Sequence, residues 1–208
     1  MSIEEKRRLK KIQFFEAIDK ILPFSDWNEQ LIAATEKECD FVQGYNFALF
    51  PGGIKEIIKL YEAWRDQQML EALKNLDSNI KIREKIALAL KTRIKSIGPK
   101  IIYIKNSCYF AIPSNLMLGT NIAWETCDKI WKFAGDTATD FNYYSKRGLL
   151  LGVYLSTIMF YISDSSENHG DTDAFIVSAI DNIINIAKLK DSIKFPDFDD
   201  IPIVRFFS

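Results

Sequence analysis

The chain has 208 residues, 48% hydrophobic and 13% aromatic, which suffices for one sizeable buried core and is too apolar for a disordered chain. Its formal charge of -1 hides an asymmetry: Ile21 to Ile54 is net -4, Ile80 to Lys105 is net +7, and Asp164 to Asp200 is net -6. A single histidine excludes zinc-protease and ferritin-type di-iron sites, and three widely spaced cysteines form no CxxC and fit a reducing cytosol.

The N-terminus, "MSIEEKRRLKKIQFFEAIDKIL", has neither a continuous apolar core nor a small-residue cleavage site, so it reads as an amphipathic helix rather than a signal or transit peptide. Leu9, Ile12, Phe15, Ile18 and Leu22 share one face, and Pro23 with Ser25 ends that helix. "DWNEQLIAATEKECD" predicts a second short helix and "FVQGYNFALF" a third piece. "PGG" at Pro51 to Gly53 separates these from a longer helix over Ile54 to Leu76. Three short helices before a long one outline a helix-turn-helix head. Its candidate recognition segment, Asp40 to Phe50, carries no Lys or Arg, although Gln43 and Asn46 could reach base edges. A net negative head repels phosphates, so no nucleic-acid partner is expected.

Ile80 to Ser96 is a basic amphipathic helix closed by Gly98 and Pro99. Its bases form a solvated polar face or, alternatively, are drawn to an anionic membrane surface. In "KIIYIKNSCYFAIPSNLMLG" the β-branched and aromatic residues Ile101 to Ile104 favour strand locally, and pattern leaves residues 100 to 118 open between helix and strand. Helical period returns at Thr120 with Trp124, Cys127, Ile130 or Trp131, and Ala134, and Gly135 is a helix stop. Thr137 to Asp140 loosely fits a capping box, predicting a helix from near Ala138 to about Ile162. That helix is apolar nearly all round, as for the centre of a bundle, and Gly148, Gly152 and Ser156 make one smooth side. Its apolar run from Leu149 to Ile162 is 14 residues, short of the roughly 20 that cross a bilayer.

"SDSSENHGDTD" is a polar loop holding His169, Phe175 to Leu189 is the last helix, and Pro196 and Pro202 break the tail. The chain therefore reads as all-α, with a head and linking helix over 1–76, a helical bundle over 77–190 and an irregular tail over 191–208.

Chemistry concentrates in "AGDTATDFNYYSKR", Ala134 to Arg147. Neither a GxxxxGK[ST] nor a GxGxxG phosphate loop occurs. A calcium loop over Asp164 to Phe175 fails at its sixth and twelfth positions, His169 and Phe175. Asp136 and Asp140 suit helix capping better than acid-base work, and His169 reads as a solvated loop histidine, so no catalytic site is supported. Helical spacing puts Asp140, Tyr143 or Tyr144, and Arg147 on one stripe beside Trp131. Two readings stay open: the Tyr pair packs inside while Asp140 and Arg147 form an ion pair, or the stripe is a docking patch.

Trp124 to Ser166 resembles the signature of the ubiquinone-biosynthesis accessory family, that of the ninth coenzyme Q biosynthesis protein. Gly135, Asp136, Asp140, Phe141, Asn142, Tyr144, Lys146 and Arg147 match its central motif, and Asp164, Ser165 and Ser166 its closing one. The resemblance implies a TetR-regulator-like helical bundle with a helix-turn-helix-like head. It implies a non-catalytic protein without a cofactor, which binds an isoprenoid, a quinone precursor or a phospholipid and presents it to the demethoxyubiquinone hydroxylase. The docking surface it implies is Asp128, Ile130, Trp131, Asp140, Tyr143, Tyr144 and Arg147, and its lipid pocket is walled by Leu151, Tyr154, Leu155, Ile158 and Met159. A TetR-like transcriptional regulator with a hydrophobic ligand pocket is the alternative.

Two departures stand out: Tyr143 replaces the family's usual Trp, and the sequence stops soon after Leu189 instead of adding a long amphipathic membrane helix. Weak peripheral membrane contact through the basic helix or "IPIVRFF" is then what remains of membrane engagement. Without a transit peptide, the expected setting is the bacterial cytoplasm, at most peripheral to the inner membrane, with the protein a homodimer through its last two helices.

Overall fold

A computed structural model describes residues 1–76, 79–95, 99–139 and 141–192, with side chains described except at 141 and 184–192. Ser96, Gly98, Asp140 and the tail from residue 193, with Pro196, Pro202 and "IPIVRFF", lie outside the described residues. All described regular structure is helical, as the sequence predicts, in an arrangement consistent with a TetR-like bundle.

The head is α1 (Ile3–Ile21), α2 (Glu29–Glu38) and α3 (Tyr45–Leu49). Ser2 caps α1 by accepting from the Glu5 amide, and Pro23 turns the chain in a short 3-10 segment, Leu22–Phe24. Burial in α1 begins at Phe14; Leu9, on the expected apolar stripe, stays 50% exposed. Phe14 and Phe15 meet Phe50, and Phe15 continues onto Tyr61 and Trp64, an aromatic core shared with the next helix. Glu36 is buried, and its carboxylate accepts from the amide of Gly44 and from both the amide and side chain of Asn46. Burial works to raise its pKa, but those bonds outweigh it and hold the carboxyl below its usual range. Asn46, one of the two head residues that could reach base edges by type, is thus buried and committed to the head itself.

The long α4 (Gly53–Ala72) carries the chain from the head into a bundle of α5 (Ile82–Lys95), α6 (Lys100–Ala111), α7 (Pro113–Phe133), α8 (Phe141–Ser163) and α9 (Gly170–Ser192). α7 packs on α4, α6 and α8, while α9 lies against α8 and α5. The strand-favouring stretch at 101–104 is helical because tertiary contacts override local propensity. Ile102, Tyr103 and Asn106 are buried, the Tyr103 hydroxyl donates to the Arg93 and Ile94 carbonyls at 3.1 Å, and Trp27 Nε1 donates to Asn106 at 2.7 Å.

Two expectations for α8 change. It starts at Phe141 rather than near Ala138, because Gly135, at φ 94°, closes α7 and Asp136 gives its amide to the Trp131 carbonyl. Nor is α8 buried all round: Gly148, Gly152, Leu155, Ser156 and Met159 form an exposed side, flanked by α7 and α9 but not covered among the described residues.

The basic helix is a solvated face only in part: Arg83 and Lys95 stay exposed. Arg93 of α5 is fully buried between Glu62 and Asp66 of α4. Lys95 and Lys91 face Asp173, and Arg83 faces Asp181, so part of this positive charge is met by the acidic residues of α9.

Candidate functional site

Two features converge on α8: a cavity along its middle turns and a knot of charges at its start. The cavity, about 280 Å³, lies between α6, α7 and α8. Tyr154, Leu155, Ile158 and Met159 form its α8 wall, four of the five residues expected there. The fifth, Leu151, is not part of this wall and packs half-buried against the core. The opposite walls are Phe110 and Ala111 from α6 and Leu116, Gly119, Thr120, Ile122 and Ala123 from α7.

Gly119 is what allows α6 and α7 to approach so closely. A Cβ there would sit 2.7 Å from Cγ of Phe110 and 2.8 Å from its Cβ. A lone glycine within an apolar helical segment, "NLMLGTNIAW", is the sequence signal for this approach. The wall is mostly apolar, but Glu62, Asn106 and Ser107 also reach the cavity. Glu62 comes from α4, far away in sequence, and helical period on one element cannot reveal such a neighbour.

The motif from Gly135 to Arg147 ties the end of α7 to the start of α8. Arg147 is 1% exposed and donates from Nε to Asp128 Oδ1 at 2.7 Å and from Nη1 to Asp136 Oδ2 at 2.9 Å. Its guanidinium lies 3.5 Å from the Tyr143 ring centroid, and the Tyr143 hydroxyl donates to Asp128 at 3.1 Å. Lys132 completes Asp128, Lys146 completes Asp136, and Trp131 Nε1 donates to the Lys146 carbonyl. For both aspartates burial pushes the pKa up, yet the bonds from these cations prevail and hold each carboxyl below its ordinary range.

Asp140 lies outside the described residues, and the ion-pair partners of Arg147 seen here are Asp128 and Asp136. A single exposed stripe is therefore corrected. Ile130 and Arg147 are buried and Asp128, Trp131 and Tyr143 partly so, whereas Tyr144 is 63% exposed. The Tyr144 ring lies 5.1 Å from that of Tyr143 and 6.5 Å from that of Trp124. The reversal follows from length: Arg is long enough to lie back across the α7 to α8 junction, where two carboxylates wait.

Asp164, of the closing Asp-Ser-Ser, caps α9 across the turn. Its carboxylate accepts from the Ser166 amide and hydroxyl and from the Thr172 amide and hydroxyl. Those hydroxyls, ahead of the backbone amides, hold its pKa well below the usual carboxylate range. His169 sits in this turn with φ 58° and its ring edge-on to Tyr161 at 4.8 Å, so it is a packed rather than a freely solvated histidine.

Residues 116–187, which hold α8 and most of α7 and α9, match the family model described as COQ9. The chain is 34% identical over 139 residues to the probable ubiquinone biosynthesis protein coq9, mitochondrial, of Dictyostelium discoideum, covering 66% of this chain and 43% of that one. It is 30% identical over 107 residues to the Bos taurus ubiquinone biosynthesis protein COQ9, mitochondrial, covering 51% and 34%. With Xenopus laevis COQ9-A it shares 25% identity over 191 residues, covering 88% and 59%. The chain thus spans less than two thirds of the length of these relatives. They are mitochondrial proteins of eukaryotes, and the bacterial setting expected from the sequence has no support in them. No helix among the described residues is long and apolar enough to cross a membrane.

Proposed function

We propose that this chain, whose residues 116–187 match the COQ9 family model, is a non-catalytic accessory of ubiquinone biosynthesis. It holds an isoprenoid or quinone-precursor lipid, or a phospholipid, between α6, α7 and α8 and presents it to the demethoxyubiquinone hydroxylase. The observation that carries the reading is the cavity, with an apolar wall and a volume close to the lower end of ligand sites, about 300 Å³. The exposed apolar residues Ile112, Leu116, Met117, Leu155 and Met159 near α6, α7 and α8 give a chain longer than the cavity an apolar surface to follow.

Native mass spectrometry of gently purified protein tests it. Wild type is expected to carry lipid, and Thr120→Trp, placed at an exposed position on the cavity wall, to carry much less while melting normally. Lipid-free wild type, or equal occupancy in both proteins, would overturn the reading. For the hydroxylase, Tyr144 is the informative position because it is open to solvent and its loss leaves the charge knot intact. Tyr144→Ala should weaken co-purification by about 2 kcal/mol if it is an interface anchor.

A further inference from the structure

A second cavity, of about 450 Å³, lies between the end of α4, the start of α5 and the end of α7, and shares no wall residue with the first. Lys74, Lys85, Lys129 and Lys132 line it, and among the described residues no carboxylate does. Its apolar wall includes Leu70, Leu73 and Phe133. Leu73 belongs to the buried core, and Leu70 and Phe133 pack half-buried against that core. Ammonium groups around a hydrocarbon surface suit an anion that carries an apolar body.

The positive charge here is in surplus. Lys129 lies 2.7 Å from Asp66, which also takes Arg93, and Lys132 lies 2.6 Å from Asp128, which also takes Arg147. Lys74 pairs only with Glu71, with both side chains exposed. Through Arg93 and Arg147 the set extends to Glu62, Asp136 and Lys146, and with Lys85 it holds seven cations against five carboxylates among the described residues. Lys85 is half-buried and has no ion-pair or hydrogen-bond partner among the described residues. It stands in the first turn of α5, where the helix dipole disfavours a cation, so neither a partner nor the dipole accounts for its charge.

We propose that this second cavity is a site for a phosphate monoester on an apolar body. Such a phosphate carries about 1.5 to 2 negative charges at neutral pH and three acceptor oxygens, enough to engage several ammonium groups at once, where a carboxylate carries a single charge. Lys binds phosphate as a point charge on a flexible stem, so the lysines close on it without a preset geometry. The apolar body lies on Leu70, Leu73 and Phe133. A lipid phosphate head and a soluble organic phosphate share this chemistry.

Calorimetric titration of the full chain at low salt with octyl phosphate, octanoate, octanol and inorganic phosphate tests it. Octyl phosphate should bind tightest, and its binding should weaken as salt rises. Lys85→Gln removes an unpaired charge, so the melting midpoint should hold while octyl phosphate binding weakens about three- to tenfold and octanol is unaffected. Thr120→Trp, on the wall of the first cavity, should bind octyl phosphate as wild type does. Retention on phosphatidic-acid vesicles, lost when Lys74→Gln is combined with Lys85→Gln, identifies a lipid head as the source; octyl phosphate binding without such retention identifies a soluble phosphate. The proposal is overturned if octyl phosphate does not bind, if octanoate or octanol binds as tightly, or if Lys85→Gln leaves binding unchanged. A loss confined to Thr120→Trp also overturns it, by placing the ligand in the first cavity.

Discussion

Arg147 illustrates how one side chain can look like an interface residue and be an internal tie. Its guanidinium is 1% exposed and bonded to two carboxylates, so truncation leaves Asp128 and Asp136 short of their shared cation. Arg147→Ala should therefore cost about 3–5 kcal/mol in denaturant unfolding, whereas Tyr144→Ala should cost under about 1 kcal/mol. A docking assay on the Arg147 variant would consequently report unfolding, and only the Tyr144 variant isolates binding. Acid stability belongs to this scale too. Asp128, Asp136 and Asp164 all have folded pKa values below the ordinary range. Such groups contribute stability above their unfolded pKa of about 4 and lose it as pH falls through the folded value. The melting midpoint should thus hold between about pH 7 and about pH 5 and drop below about pH 4. Asp164→Asn should be less stable at neutral pH and show a shallower acid decline; an unchanged decline would mean that this cap titrates normally.

At the scale of elements, two glycines decide where helices end and how near they come. Gly135 sits at φ 94° with open space where a methyl group would stand, so Gly135→Ala should cost only the left-handed backbone penalty of roughly 1 kcal/mol. Gly119→Ala must instead push Phe110 aside. It should destabilise by about 1–3 kcal/mol and lower lipid occupancy, as measured by chemical denaturation and native mass spectrometry together. The contrast tests whether the α6 to α7 approach, and not helix propensity, is what Gly119 provides. Sequence alone showed the stop at Gly135, since a glycine after a periodic run is a local signal. It did not show the helical state of 101–104, which depends on Trp27 and the α5 carbonyls meeting Tyr103 and Asn106.

For the whole molecule, the opposed charge of chain segments has a spatial meaning. The basic α5 lies against the acidic start of α9, through pairs such as Lys95 with Asp173 at 2.9 Å. These partly exposed pairs are each worth at most about 1 kcal/mol, but they leave α5 less charge to offer an anionic membrane. The homodimer proposed through α8 and α9 would cover the exposed side at Gly148, Gly152 and Ser156. Light scattering should then give twice the monomer mass for wild type and a monomer for Gly152→Arg, and a monomeric wild type would sink the idea.

By itself the sequence determined the all-helical class and the run of helices outside 100–118, while the α8 cavity wall was implied by the family resemblance. The helices follow from local spacing, because residues three and four apart share a helix face whatever surrounds it. Only the tertiary structure decided which face turns inward and what meets it: that Arg147 is buried, that Gly148 and Gly152 are open, and that Glu62 reaches a cavity formed some forty to a hundred residues further along the chain. Spacing defines a face, whereas burial is a property of whatever packs on it.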